Sequence, residues 1–143
     1  MATDSTAAEP AQDAPEENPS YRFAPNLIEQ QGRPLGVVLG GRLCDAAKAK
    51  AKGNLRNASF AELRRLFRAN CADQEGYLSP QHPVVETVLR LLLTSKADAL
   101  TLDEIYARVS DLWLQSTWPR HIARGSLRRV LDHAAVHGIV PVE

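Results

Sequence analysis

A helical rhythm of hydrophobic and polar positions runs through the second half of the chain. Phe60, Leu63, Leu66 and Phe67 form one stripe, with Arg64, Arg65 and Arg68 turned away from it. Ser59-Phe60-Ala61-Glu62 opens that helix as a capping box, in which the Ser hydroxyl and the Glu carboxylate each take a backbone N–H of the other residue. Asp73 to Pro80, with Gly76, reads as a loop. A helix from about Pro83 to Thr94 follows, with Val84, Val88, Leu91 and Leu92 as its stripe and Val85, Leu89 and Leu93 widening it. Apolar this far round, it is predicted to be central. Thr101-Leu102-Asp103-Glu104 is a second capping box, and Leu102, Ile105, Tyr106, Val109, Leu112 and Trp113 continue it as an amphipathic helix over 102–114. Gln115 to Pro119 breaks the pattern. The last helix, about 120–137, turns Leu127, Val130, Leu131 and Ala134 inward; Gly138 ends it and Ile139 to Val142 is extended.

The first half is less regular. Tyr21, Phe23, Leu27 and Ile28 are apolar but interrupted by Pro25, and Gly32-Arg33-Pro34 is turn chemistry. Leu35 to Leu39 reads as a short strand or extended docking segment closed by Gly40-Gly41. Leu43 to Lys52 favours a helix, ended by Gly53-Asn54. The expected organisation is an acidic disordered tail over 1–20, a basic arm over 21–58, and a helical domain over 59–143. The fold class is mainly α.

Charge changes the picture more than composition does. Lys plus Arg and Asp plus Glu both total 17 in 143 residues. The first 20 residues carry Asp4, Glu9, Asp13, Glu16 and Glu17 without a base, and residues 21–68 carry ten bases against Glu29, Asp45 and Glu62. Such asymmetry sets local fields that attract or repel partners. The tail has too little apolar surface to offset its ordering entropy. A sharper possibility is that it folds back on the basic segment and competes with a polyanion. No apolar run approaches the roughly 18 residues of a membrane span, and residues 1–20 lack the pattern of a secretory signal. A cytoplasmic, reducing compartment is the expectation. Cys44 and Cys71 make neither a disulfide framework nor a zinc set.

The order of elements from 83 onward resembles a winged helix-turn-helix domain. Ala99 to Ile105 is similar to that family's short strand and capped second helix, and Ser126 to His133 through Gly138-Ile139-Val140 resembles its third helix running into the first wing strand. The likeness covers about 60 of 143 residues. The pattern departs in two places: Trp113 to Gly125 is longer than a turn of about three or four residues, and the wing is truncated. Residues 35–39 or a partner would have to pair with 139–142. The resemblance implies base reading from the exposed side of the third helix, which by position holds Arg120, Arg124, Ser126, Arg128, Arg129 and His133. Arg suits phosphate contacts and bidentate reading of guanine.

A second cationic set, Lys48, Lys50, Lys52, Arg64, Arg65 and Arg68 with Arg42 and Arg56, could follow a phosphate backbone, serve as an ordinary solvated surface, or form an arm that docks on an acidic protein. His133 and His137 are four apart on the last helix, a metal-pair spacing, but the metalloprotease Glu is missing and no metal is assigned. Gly32, Gly36, Gly40 and Gly41 lack the Lys-Ser/Thr of a phosphate loop. No catalytic motif and no cofactor are expected. Trp118, beside Arg120 and His121, is a candidate interaction anchor. Two function classes result: a nucleic-acid-binding regulator or accessory factor on duplex DNA, and a non-enzymatic protein–protein module docking through the 21–58 arm. The apolar surplus of the 83–95 helix also suggests a homodimer.

Overall fold

A computed structural model describes residues 17–51 and 55–142. Its first element is a strand, β1 (Ser20–Phe23), followed by three one-and-a-half-turn helices, α1 (Pro25–Gln30), α2 (Leu35–Gly40) and α3 (Asp45–Lys50). A 3-10 turn (Leu55–Asn57) leads into α4 (Phe60–Leu66), whose end widens into a π turn over Phe67–Cys71. Then come α5 (Val84–Thr94), β2 (Leu100–Thr101), α6 (Leu102–Leu114), α7 (Arg124–Asp132), a second 3-10 turn (Ala135–His137) and β3 (Ile139–Pro141). The described fold is mainly helical, with one small antiparallel sheet.

Both capping boxes form. Ser59 Oγ accepts from the Glu62 N–H at 3.2 Å, and Glu62 Oε1 accepts from the Ser59 N–H at 3.0 Å. Thr101 and Glu104 repeat the exchange at 3.1 and 2.8 Å. Each cap stabilises its helix by about 1 kcal/mol, because first-turn N–H groups otherwise lack partners. The Ser59 bonds also hold the Glu62 carboxyl below its ordinary range.

The sheet order is β2-β1-β3, with β1 in the centre. Tyr21 lies opposite Leu100 on one side, and Tyr21, Arg22 and Phe23 lie opposite Pro141, Val140 and Ile139 on the other. The strand that completes 139–142 is therefore Ser20–Phe23, not residues 35–39. Leu35–Gly40 is helical instead, because Leu35, Leu39 and Leu43 recur at helical spacing and all three are buried. Gly36 lets this helix touch the next turn: a Cβ there would lie 1.8 Å from the Leu55 carbonyl oxygen.

The described residues of 21–58 are not a separate arm. Tyr21, Phe23, Ile28, Leu35, Leu39, Leu43 and Ala47 share one core with Leu63, Phe67, Leu92, Ile105, Val109, Leu127, Leu131 and Ile139. Each element offers too thin an apolar face to stand alone, and short helices gain their stability from such packing. The α5 surplus is consumed inside the chain, where Val88, Leu89, Leu91, Leu92 and Leu93 are all buried. That removes the ground on which a homodimer was expected. The tail boundary also moves: residues 17–20 lie against the fold, and Lys52, Gly53, Asn54 and residues 1–16 fall outside the described residues. No helix among the described residues is long and apolar enough to cross a membrane.

The final helix is shorter than its periodicity suggests. α7 stops at Asp132, His133 takes the C-cap with φ −115°, and His137 belongs to the following 3-10 turn. The two histidines therefore do not share one helix face. Gly138 ends the turn at φ +86°, in the left-handed region, and a Cβ there would come within 2.5 Å of the Phe23 ring. Only glycine satisfies both demands.

Candidate nucleic-acid interface

α7 buries Leu127 and Leu131 and turns Arg124, Ser126, Arg128, Arg129 and His133 outward or to its rim. A hydrogen-bonded chain from the sheet and the N-terminus fixes the guanidiniums. Tyr21, in the central strand, donates its hydroxyl to Asp132 Oδ1 at 2.8 Å. Asp132 Oδ2 faces Arg128 Nε at 3.6 Å. Burial, reinforced by the Asp132 carboxylate, pushes the Tyr21 hydroxyl up to about 12, so it remains a donor at neutral pH.

Residues 17–19 cross the starts of α6 and α7 as a strap. Pro19 O accepts from the Leu102 N–H at 2.7 Å, and Asn18 Oδ1 accepts from the Asp103 N–H at 2.9 Å. Glu17 then presents two oxygens to α7. Its Oε1 accepts from Arg128 Nη2 and its backbone carbonyl from Arg124 Nη2, both at 2.6 Å. Arg124 Nε also donates to Asp103 Oδ1 at 2.6 Å. The Glu17 hydrogen bond, against some desolvation, holds Arg128 protonated beyond an ordinary guanidinium. Arg129 is exposed and donates to Ser126 Oγ at 3.1 Å, and His133 Nδ1 lies 2.8 Å from the Arg129 carbonyl.

Arg120 lies outside α7, in the 115–123 connection, and is spoken for. It donates to the Pro80 and His82 carbonyls at 2.7 and 2.9 Å and stacks 3.9 Å from the Trp113 ring centroid. These contacts fix the long link between α6 and α7. The two tryptophans divide accordingly: Trp113 is buried, and Trp118, in the middle of the link, is 83% exposed, while Leu114 at the end of α6 is 67% exposed.

The second cationic set splits. Arg68 donates to the Ser95 carbonyl at 2.8 Å, Arg64 donates to the Ala97 carbonyl at 3.2 Å, and both pair with Asp98 at 3.2 Å. They tie α4 to the loop after α5. Arg42 and Arg90 similarly clamp Glu86, at 2.9 and 2.8 Å. Lys48, Lys50 and Arg65 are exposed, and Lys50 and Arg65 line one groove of about 370 Å³ with Leu55 and Leu66.

Residue-type reasoning finds the arginines but misses their partners. Glu17 and Asp103 lie outside α7 in sequence, and the one available signal is the acidic Glu16-Glu17 pair just before the first aromatic residue. Among the described residues, no three His, Cys, Asp or Glu side chains group so as to hold a metal ion. No family model, curated protein or solved structure matches the chain.

Proposed function

We propose that this protein binds the phosphate backbone of duplex nucleic acid through α7, on a winged-helix-like scaffold, with Glu17 standing where a phosphate would. The observation that carries this is the pair of 2.6 Å contacts by which Arg124 and Arg128 gather two oxygens of Glu17. Guanidiniums that converge on acceptor oxygens, here one carboxylate and one backbone oxygen, are the groups by which Arg holds phosphate. Arg129, exposed on the same helix, and Ser126 extend the set. Support for the scaffold is the succession of α5, β2, capped α6, α7 and β3, with β1 completing the sheet. The reading requires Glu17 to yield. An exposed ion pair is worth only about 0–1 kcal/mol, and a polyanion with several phosphates outbids it. Fluorescence anisotropy with random duplex DNA at two salt concentrations tests the assignment: an R124A/R128A/R129A variant should lose most of the salt-dependent binding.

A second class of function rests on a different observation. Among the described residues, Trp118 and Leu114 are the two most exposed large apolar side chains; Leu114 ends α6 and Trp118 lies in the link that follows. Trp is the residue most often found to anchor a protein interface. As a protein-docking module, the chain would use this link, because the 21–58 segment is built into the core and cannot serve as an extended arm. W118A should then abolish capture of the partner while leaving duplex binding and the melting temperature unchanged.

A further inference from the structure

The chain's two cysteines are 27 positions apart, and the fold brings their sulfurs within 2.9 Å of one another. Cys44 is the N-cap of α3, and Cys71 ends the π turn after α4. The Cys44 N–H donates to Cys71 Sγ at 3.3 Å, and Cys44 Sγ–H points to the Asn70 carbonyl at 3.4 Å. Both are free thiols. An S–S bond is about 2.05 Å long, so closing it asks for a shift of under about 1 Å between two short elements.

The surroundings distinguish the two sulfurs. Cys71 is fully buried, and burial, with the Cys44 contact, pushes its thiol up to about 12. Cys44 is half-buried and lines an open cleft of about 290 Å³ with Arg42, Asp45, Glu75, Tyr77 and Arg90. Only Cys44 is accessible to a reagent from solution. The cleft is open to solvent at Cys44 and admits a small peptide disulfide to that sulfur.

We propose that Cys44 and Cys71 are a reversible dithiol–disulfide site, with Cys44 the attacking thiol, Cys71 the resolving thiol, and a small-molecule disulfide of the glutathione class as oxidant. Cys44, deprotonated, attacks one sulfur of the oxidant; the oxidant's S–S bond breaks and one glutathione thiolate leaves with the electron pair. Cys71 then attacks Cys44 Sγ, its proton passing to the second glutathione sulfur as that sulfur is expelled as a thiol. Two protein thiols are oxidised by two electrons and one glutathione disulfide is reduced to two glutathione molecules. The bond joins α3, which carries Lys48 and Lys50, to the end of α4.

The test uses the full-length chain in buffers of graded reduced-to-oxidised glutathione ratio, quenched by alkylation and read by intact mass and peptide mapping. The expected product is a single chain lighter by two hydrogens, with neither cysteine alkylated, no glutathione attached, and both thiols recovered on adding dithiothreitol. In C71S the glutathione should remain on Cys44. Both thiols still alkylated at the most oxidising ratio, a stable glutathione adduct on the wild-type chain, or chains cross-linked through Cys44 would each overturn the proposal. The wild-type measurement decides the question even if C71S folds poorly.

Discussion

At the scale of single residues, Arg42, Arg64, Arg68, Arg90 and Arg120 are structural. Glu86 is the clearest case: Arg42 contacts both its oxygens, at 2.9 to 3.1 Å, and Arg90 adds a bond at 2.8 Å. Burial works to raise the Glu86 carboxyl, but the two guanidiniums overcome it and hold the group below its ordinary 4.5. A carboxyl whose folded pKa is depressed stabilises the fold fully above its unfolded value, and that stabilisation is lost as pH falls through the folded value. Urea unfolding of E86Q should therefore show a loss of roughly 1–2 kcal/mol at neutral pH, discounted for partial exposure. The gap from wild type should close below about pH 4.5. His82, which burial and Arg90 push below its ordinary range and the Glu86 charge partly restores, loses that charge in E86Q and, once Glu86 is protonated, in wild type alike, so it does not hold the gap open at low pH. A gap independent of pH would show that Glu86 acts by packing rather than by charge.

At the scale of elements, legibility follows length and capping. α4, α5 and α6 could be read because long apolar stripes coincide with capping boxes or a leading proline. α7 could be located but not bounded, since Ala123 at its N-cap offers no side-chain cap and the helix gives way at His133 to a 3-10 turn. The segment from 35 to 40 was ambiguous for a physical reason: Leu-Gly-Val-Val-Leu-Gly is compatible with a buried strand and with a short helix, and only contact with Leu55 and the core decides. β1 was invisible because its pairing partners lie about 80 and 120 residues away along the chain. The Gly36 contact makes the helical outcome testable. Its missing Cβ admits the Leu55 carbonyl, so G36A must push the 3-10 turn away and should cost about 2–3 kcal/mol in thermal or urea unfolding. Unchanged or increased stability, which Gly→Ala brings at an open helical site, would show that α2 and the turn do not pack this way.

At the scale of the whole molecule, a neutral total conceals an acidic N-terminus, part of which is spent on α7. Sequence asymmetry pointed to an acidic tail competing for a basic surface, and the described part of that tail, Glu17, meets Arg124 and Arg128 rather than residues 42–68. The sequence indicated the two ingredients; their meeting depends on β1 entering the sheet centre and placing residues 17–19 against α6 and α7. A core shared by both halves also means that the candidate interface and its covering strap belong to one cooperative unit.

The most direct test of this account is the anisotropy titration of duplex DNA at two salt concentrations, comparing wild type, E17Q and R124A/R128A/R129A. Binding should weaken steeply with salt, the triple variant should lower the logarithmic salt slope by up to about 3, and E17Q should bind roughly 2- to 5-fold more tightly. No binding at low salt, or binding that the triple variant leaves unchanged, would contradict the assignment of α7 as a phosphate-binding helix.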